Sequence, residues 1–425
     1  MTNSWTNEID WETDPLYREI ARALESGIEA GQLLPGDSLP THRKLAGDLG
    51  VAIGTITKAY ALLEQKRLIF GKGRRGTIVG TAKDGQASLA ALLNRTSGKI
   101  DLSINYPNTV SLKEMTSVFN SMAEKADIGS VFQYQHPRGS TGHRQSASRW
   151  MQKMELETDA DSIILTAGAQ HALNVLFPSI LEPGDIVLSD HLTYPGIKAV
   201  ADLHRFQILG VPMDREGMIP DALESICRQR NPKALYCIPT LQNPTSIILS
   251  EKRRESIADI AEKYNIHVIE DDIHRGFVEN PPAFIASKIP DRTFVIQSVS
   301  KLIAGGLRIG FIHAPSRWLP RLIQAIQATL WNVSPISLEI FDILQKEGIT
   351  ERIIRQKRKD ALKRYTLAQH YFSDLNPTLH PQSTFFWLPL PEGWTQTQLC
   401  IEAERKGVMV SPAETFAINE KDAPH

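Results

Sequence analysis

From about Ile100 onward, short apolar runs alternate with helical patterns, and this alternation limits the possible folds more than any other feature. The runs are Ile163-Ile164-Leu165, Ile186-Val187-Leu188, Ala234-Leu235-Tyr236-Cys237-Ile238, His267-Val268-Ile269 and Phe294-Val295-Ile296. Helical periodicity lies between several of them, as over residues 251–264. The alternation predicts an α/β fold, a mainly parallel sheet covered by helices on both faces. Ligand chemistry in such sheets gathers at the carboxyl ends of the strands.

The first run ends in TAGAQHAL, where Gly168-Ala169-Gln170 opens a helix. Small residues there leave N–H groups free for an anion such as phosphate, although any tight strand-to-helix turn reads similarly. The second ends with Tyr194, a ring able to stack on a flat ligand or simply to pack. The third ends in QNPTS, with Asn243 ahead of a proline. The fourth ends in EDDIHRGF, where Asp271 either caps a turn or pairs with a buried cation. The fifth ends in QSVSK, offering Ser298, Ser300 and Lys301, with Arg308 seven residues further on. A lone lysine at a strand exit is either a solvated loop residue or an amine that forms an imine. An aldehyde cofactor with a phosphate and a pyridine ring needs all these parts: the lysine, a carboxylate for the ring nitrogen, a donor to the ring hydroxyl, an aromatic face and a phosphate cradle. The set is far more specific than any member.

On these motifs, residues from about 100 onward resemble fold-type I aminotransferases that use pyridoxal 5'-phosphate (PLP). The resemblance implies that Lys301 is the Schiff-base lysine and Asp271 the partner of the pyridine nitrogen. It implies Asn243 as the ring-hydroxyl donor, Tyr194 as the stacking ring, and Ala169, Gln170, Ser298, Ser300 and Arg308 as the phosphate cradle. Tyr134, in FQYQHPRGSTGHR, matches a tyrosine that reaches the phosphate of a neighbouring subunit, which implies a homodimer. The pattern departs at Ile273 and His274, where a tyrosine is usual; isoleucine cannot donate, and His274 can if its ring turns inward. Ser246 stands where QNPTG has glycine. The family's C-terminal strand with a carboxylate-clamping arginine has no counterpart before the chain stops at FAINEKDAPH, so the smaller C-terminal subdomain is expected to be truncated or to lack that clamp.

The first 80 residues read differently. Asp14-Pro15 starts a helix, and Leu16, Ile20, Ala23, Leu24 and Ile28 recur at helical spacing. Thr41 can cap a second helix that Gly50 stops. A third spans residues 54–65, with Ile56, Ala59, Tyr60 and Leu63 inward and Thr55, Thr57 and Lys58 outward. Leu68-Ile69-Phe70 and Thr77-Ile78-Val79 flank a turn holding Arg74, Arg75 and Gly76, a basic wing. Residues 41–80 carry eight basic and two acidic side chains, while residues 1–40 carry two basic and eight acidic. That local excess of positive charge is a polyanion footprint. The stretch resembles the winged helix-turn-helix of GntR-type regulators, which implies operator-DNA contacts by Arg43, Thr55, Thr57, Lys58, Arg74, Arg75 and Gly76. The fusion as a whole resembles the MocR subfamily of transcription regulators.

The expected organisation is a DNA-binding domain over residues 12–80, a polar linker over 81–98 and the aminotransferase-like domain over 99–425. Three scattered cysteines among 425 residues form neither a disulfide framework nor a metal-ligand cluster, which fits a reducing cytoplasm. No apolar run approaches the ~18–20 residues that span a bilayer, so no membrane role is expected. The expected function is a cytoplasmic PLP-dependent regulator that senses PLP or a small amino compound. The alternative is an active aminotransferase whose DNA-binding module is incidental.

Overall fold

The computed structural model describes residues 5–6, 9–11, 15–29, 32–33, 37–65, 68–71, 77–79, 99–106, 112–124 and 128–419. The expected wing turn Arg74-Arg75-Gly76 and the expected linker 81–98 lie outside the described residues. Met1–Gly98 and Lys99–His425 form two compact units.

The first unit packs three helices, α1 (Leu16–Glu29), α2 (His42–Leu49) and α3 (Ile53–Gln65), against a small antiparallel sheet. The Thr41 side chain accepts from the Lys44 N–H to cap α2, and Gly50 closes it in the left-handed conformation at φ 67°. Ile56, Ala59, Tyr60 and Leu63 turn inward onto Ile20, Ala23 and Leu24 of α1. The sheet holds β1 (Ser38–Leu39), β2 (Ile69–Gly71) and β3 (Thr77–Val79), with β3 central. β1 was not foreseen, because two residues are too few to show alternation. Trp5 and Ile9 also join this core.

The second unit is built on a seven-stranded sheet. Its strands are β4 (Ile163–Thr166), β5 (Ile186–Asp190), β6 (Gln207–Val211), β7 (Ala234–Cys237), β8 (His267–Asp271), β9 (Thr293–Ser298) and β10 (Gly310–His313). The order is β4-β10-β9-β8-β7-β5-β6. β10 runs antiparallel to both its neighbours, and every other pair is parallel. Both faces are covered, so the central strands are apolar throughout rather than alternating. One face packs Ile164, Tyr236, Ile269, Ile296 and Ile312 with Leu173 and Ile326; the other packs Leu235 and Val268 with Ile257 and Ala261. The five expected strands are present, whereas β6 and β10 were not read from the sequence. Each of these two contains a glycine, Gly210 and Gly310, within a short run. Beyond the sheet, the long helix Ile349–Phe372 leads to the helix Gln396–Arg405 and to a strand pair, Val408–Met409 beside Ile100–Asp101.

The Gln242-to-Ser246 turn after β7 is held by the Gln242 side chain. Its Nε2 donates to Leu192 O at 2.6 Å, and its Oε1 accepts from the Thr245 N–H and hydroxyl. Ser246, where glycine was the family expectation, lies at φ 60° and is buried. Left-handed backbone costs a non-glycine residue about 1–2 kcal/mol. A long bond from its hydroxyl to Thr378 O, 3.3 Å, offsets part of this. Ser246→Ala keeps the strain and loses the bond, so it should cost about 1 kcal/mol. Ser246→Gly relieves the strain and should stay within about 0.5 kcal/mol of wild type. Urea melts of the two variants check this; alanine outperforming glycine would contradict the assigned conformation.

Candidate functional site

Strand register brings the sequence-predicted residues to one edge of the sheet. Asp271 at the end of β8 pairs with Ile296 of β9, Ser298 pairs with Gly310, and Gly310 pairs with Thr166 at the end of β4. Tyr236 pairs with Ile269, two residues before Asp271, so both side chains leave the same face. The Tyr236 hydroxyl donates to Asp271 Oδ2 at 2.7 Å. Asp271 Oδ1 is buried and makes no hydrogen bond among the described residues. Burial pushes the Asp271 acid up to about 7, the neighbouring Asp272 charge adds to this, and the Tyr236 bond opposes it.

Lys301 sits on the short helix Val299–Leu302, which the Ser298 side chain caps by accepting from the Ser300 N–H. Its amine donates to the main-chain carbonyl of Asn105. Burial, and secondarily Arg308, lower its proton affinity to about 8. His274 is inward, 1% exposed, with its ring against Phe385 at 5.2 Å. Burial and then the Lys301 charge push it down to about 3, so it is neutral at neutral pH. Asn105 joins these groups: its Nδ2 lies 3.4 Å from His274 Nε2, and its Oδ1 accepts from the Thr384 hydroxyl at 2.8 Å. Neither Asn105 nor Thr384 was singled out from sequence. Both lie in irregular segments, where no periodicity marks a residue as inward.

The helix Ala169–Ile180 begins after Gly168, whose φ is 90°. A Cβ on Gly168 would sit 2.9 Å from the Arg308 guanidinium, so only glycine allows that approach. Arg308, exposed and itself left-handed at φ 50°, donates to Ala167 O at 3.1 Å. Ser298 Oγ donates to Ile309 O at 2.8 Å and lies 3.1 Å from Ser300 Oγ. The first N–H groups of a helix have no partner within it, so Ala169 and Gln170 open toward the same edge as these hydroxyls. Gln170 Nε2 donates to Gly196 O at 3.0 Å, and its Oε1 is buried without a partner. Gly196 lets the Tyr194 ring and Gln170 close on one another, since a Cβ there would lie 2.2 Å from Tyr194 Cε1. Burial raises the Tyr194 hydroxyl, with Asp271 raising it further and Arg308 lowering it, which puts the ring within the field of both.

Asn243 is half-buried on the turn described above. Tyr134 stands apart, 91% exposed, with its ring edge-on to Trp331 at 6.5 Å. Arg138 and Arg144, which lie near it in sequence, brace loops. Arg144 Nη1 donates to Gly139 O at 2.7 Å, and Arg138 donates to Asp161 O.

In the first unit, Arg43, Thr57 and Lys58 are exposed and Thr55 is half-buried. Thr57 Oγ1 lies 3.2 Å from His42 Nδ1, joining the outer faces of α2 and α3. The Lys58 amine lies 5.9 Å from the centre of the Tyr17 ring. The outward face of α3 is thus small, polar and basic.

Residues 97–422 match the family described as aminotransferase class I and II, and residues 16–79 match bacterial regulatory proteins of the gntR family. The chain is 32% identical over 417 residues to the uncharacterized HTH-type transcriptional regulator YdeF of Bacillus subtilis (strain 168), covering 98% of this chain and 90% of that protein. Among solved structures, the kynurenine aminotransferase of Pyrococcus horikoshii matches with a TM-score of 0.72 and 25% identity, over 80% of this chain and 88% of that one. LysN, the alpha-aminoadipate aminotransferase of Thermus thermophilus, matches with a TM-score of 0.70 and 24% identity, over 79% and 87%. The class I and II aminotransferase fold and its homologues are PLP-dependent.

Asp271 and Asp272 should behave oppositely. Each acid has one buried oxygen without a hydrogen bond among the described residues, but Asp272 Oδ2 accepts from Thr240 at 3.1 Å and from buried Arg275 at 3.4 Å, whereas Asp271 Oδ2 accepts only from the uncharged Tyr236 hydroxyl. Removing one partner of a buried ion pair costs about 3–5 kcal/mol, so Asp272→Ala should destabilise by roughly that. Asp271→Ala should cost less than about 1 kcal/mol, because it also removes a buried, half-satisfied acid. Urea melts without added PLP read both values, and equal losses would contradict this division of roles.

Proposed function

The chain belongs to the MocR subfamily, a GntR-type helix-turn-helix domain fused to a class I and II aminotransferase domain, and from that premise we propose a transcriptional regulator that binds operator DNA and senses PLP or a small amino compound at Lys301. One observation carries the reading. A single chain holds an outward polar and basic helix face and, at the strand ends of its other unit, a buried acid with an unmatched oxygen alongside a lysine of lowered proton affinity.

The residues fit PLP by their chemistry. Asp271 Oδ1 lacks a donor, and a protonated ring nitrogen would supply one and draw the carboxyl back to its charged form. Ser298, Ser300, Arg308 and the first N–H groups at Ala169 and Gln170 would hold the phosphate. Tyr194 would stack on the ring. Asn243 would bond the ring hydroxyl, and His274, neutral and inward, would stand in for the tyrosine that Ile273 displaces. When bound, PLP supplies an aldehyde carbon that lysine and amine ligands compete for, and a ring that withdraws electrons from it. Lys301 provides the amine, and an amino compound displacing it gives the signal. In a cytoplasmic homodimer, Tyr134 would reach the phosphate of the partner subunit; its exposure supports this. Arg43, Thr55, Thr57 and Lys58 would contact DNA, together with Arg74, Arg75 and Gly76.

The site residues that remain also suit an active aminotransferase, and one preparation separates the two readings. Coupling of about 1–3 kcal/mol between sites corresponds to a 5–150-fold change in affinity. Fluorescence anisotropy on a duplex of the DNA flanking the protein's own coding sequence should show such a change on adding PLP or an amino acid to wild type, and none in Lys301→Ala. Arg43→Ala should weaken DNA binding without altering PLP uptake. Turnover with amino and keto acids in the ordinary range of ~1–10³ per second, with DNA affinity indifferent to ligand, would overturn the regulator in favour of the enzyme.

A further inference from the structure

A buried cation that the proposed site does not use lies directly behind Lys301. Lys357 is on the helix Ile349–Phe372, four residues from Ile353 and four from Ala361, and all three are buried. An apolar residue is expected at that position of the stripe. Lys357 is 7% exposed and, among the described residues, has no carboxylate partner. Its amine instead donates to Ile303 O at 2.9 Å and to Lys301 O at 3.1 Å. Both carbonyls belong to the turn that ends the Val299–Leu302 helix, and a helix C-terminus favours a cation.

We propose that Lys357 is a positioning residue for Lys301: it grips the main chain on both sides of the turn, fixes the direction in which the Lys301 amine leaves it, and sets a second positive charge behind that amine. The proposal rests on reading Lys301 as the amine that captures PLP. Capture requires the uncharged amine: the nitrogen lone pair forms the C=N bond, and the aldehyde oxygen leaves as water with two protons from the amine and medium. A neighbouring positive charge favours the uncharged form, and the repulsion is mutual. Burial and then the Lys301 charge lower the Lys357 proton affinity to about 8, which leaves it mainly charged at neutral pH. The other ionisable groups around Lys301 are Arg308, which acts in the same direction, and His274, which is neutral. Asp271, with its acid raised to about 7, lies on the adjoining strand end. Arg358, next to Lys357, is committed to Gly276 O and Glu279.

The test uses the full-length protein freed of cofactor and mixed with PLP from pH 6 to 10, following the visible absorbance that depends on Lys301. Wild type should show a capture midpoint near 8. Lys357→Gln retains an amide donor for the two carbonyls and removes the charge; Lys357→Met removes both. Each should raise the midpoint by less than about one unit, because Lys357 itself titrates at about 8, and should slow capture at pH 7, where Lys357 is mainly charged, about two- to fivefold. Lys357→Arg keeps the charge and should keep the midpoint. Unchanged midpoints in folded Gln and Met variants would overturn the proposal. So would failure of both neutral variants to fold by circular dichroism, since Lys357 would then be a structural group. Absorbance that survives in Lys301→Ala would instead overturn the reading of Lys301 itself, a result distinguishable from either.

Discussion

The candidate site of the second unit is arranged around a carboxylate that the protein buries. Asp271 ends a strand buried on both faces, with one oxygen tied to Tyr236 and the other unmatched. A buried acid in that state is costly, and the fold tolerates it. The adjacent Glu270 and Asp272 are also buried, but they are answered by Arg254, Arg275 and backbone N–H groups. Of three consecutive acids, Glu270 and Asp272 are each paired with an arginine, and Asp271 has no cation partner among the described residues.

Around Asp271, close main-chain approach does as much as side-chain identity. Gly168, Gly196 and Gly310 stand where a Cβ would collide with Arg308, with Tyr194 and Gln170, and with Gly168 and Thr166 respectively. These contacts draw the ends of three separate strands and the start of one helix into a single cradle. Lys301 enters the same space from a four-residue helix too short to be rigid alone. Its carbonyl is held by Lys357 and its amine by Asn105, so the turn is fixed from both directions.

Much of this was legible in the sequence, and the reason is physical. The five central strands are continuous apolar runs because both faces are covered, and the helix-turn-helix is marked by a capping threonine and a left-handed glycine. Most of the candidate site residues could be singled out because they follow such a run closely, whereas Tyr134 follows no strand and Arg308 lies ten residues beyond the end of one. What escaped notice lacked a local signal. Gly210 and Gly310 interrupt β6 and β10. Tyr236 reads as one more apolar strand residue until register sets it beside Asp271. Asn105 lies in an irregular segment, and Lys357 looks like any lysine on a charged helix. The inward turn of His274 was left open by sequence, because one histidine after a strand has no periodicity to orient it.

Whether Lys301 is the amine that binds PLP is tested most directly by chemical trapping. Full-length protein incubated with PLP, reduced with borohydride and mapped by peptide mass spectrometry should carry one phosphopyridoxyl group per chain, on Lys301. Labelling of Lys357 or of scattered surface lysines, with Lys301 unmodified, would contradict the account.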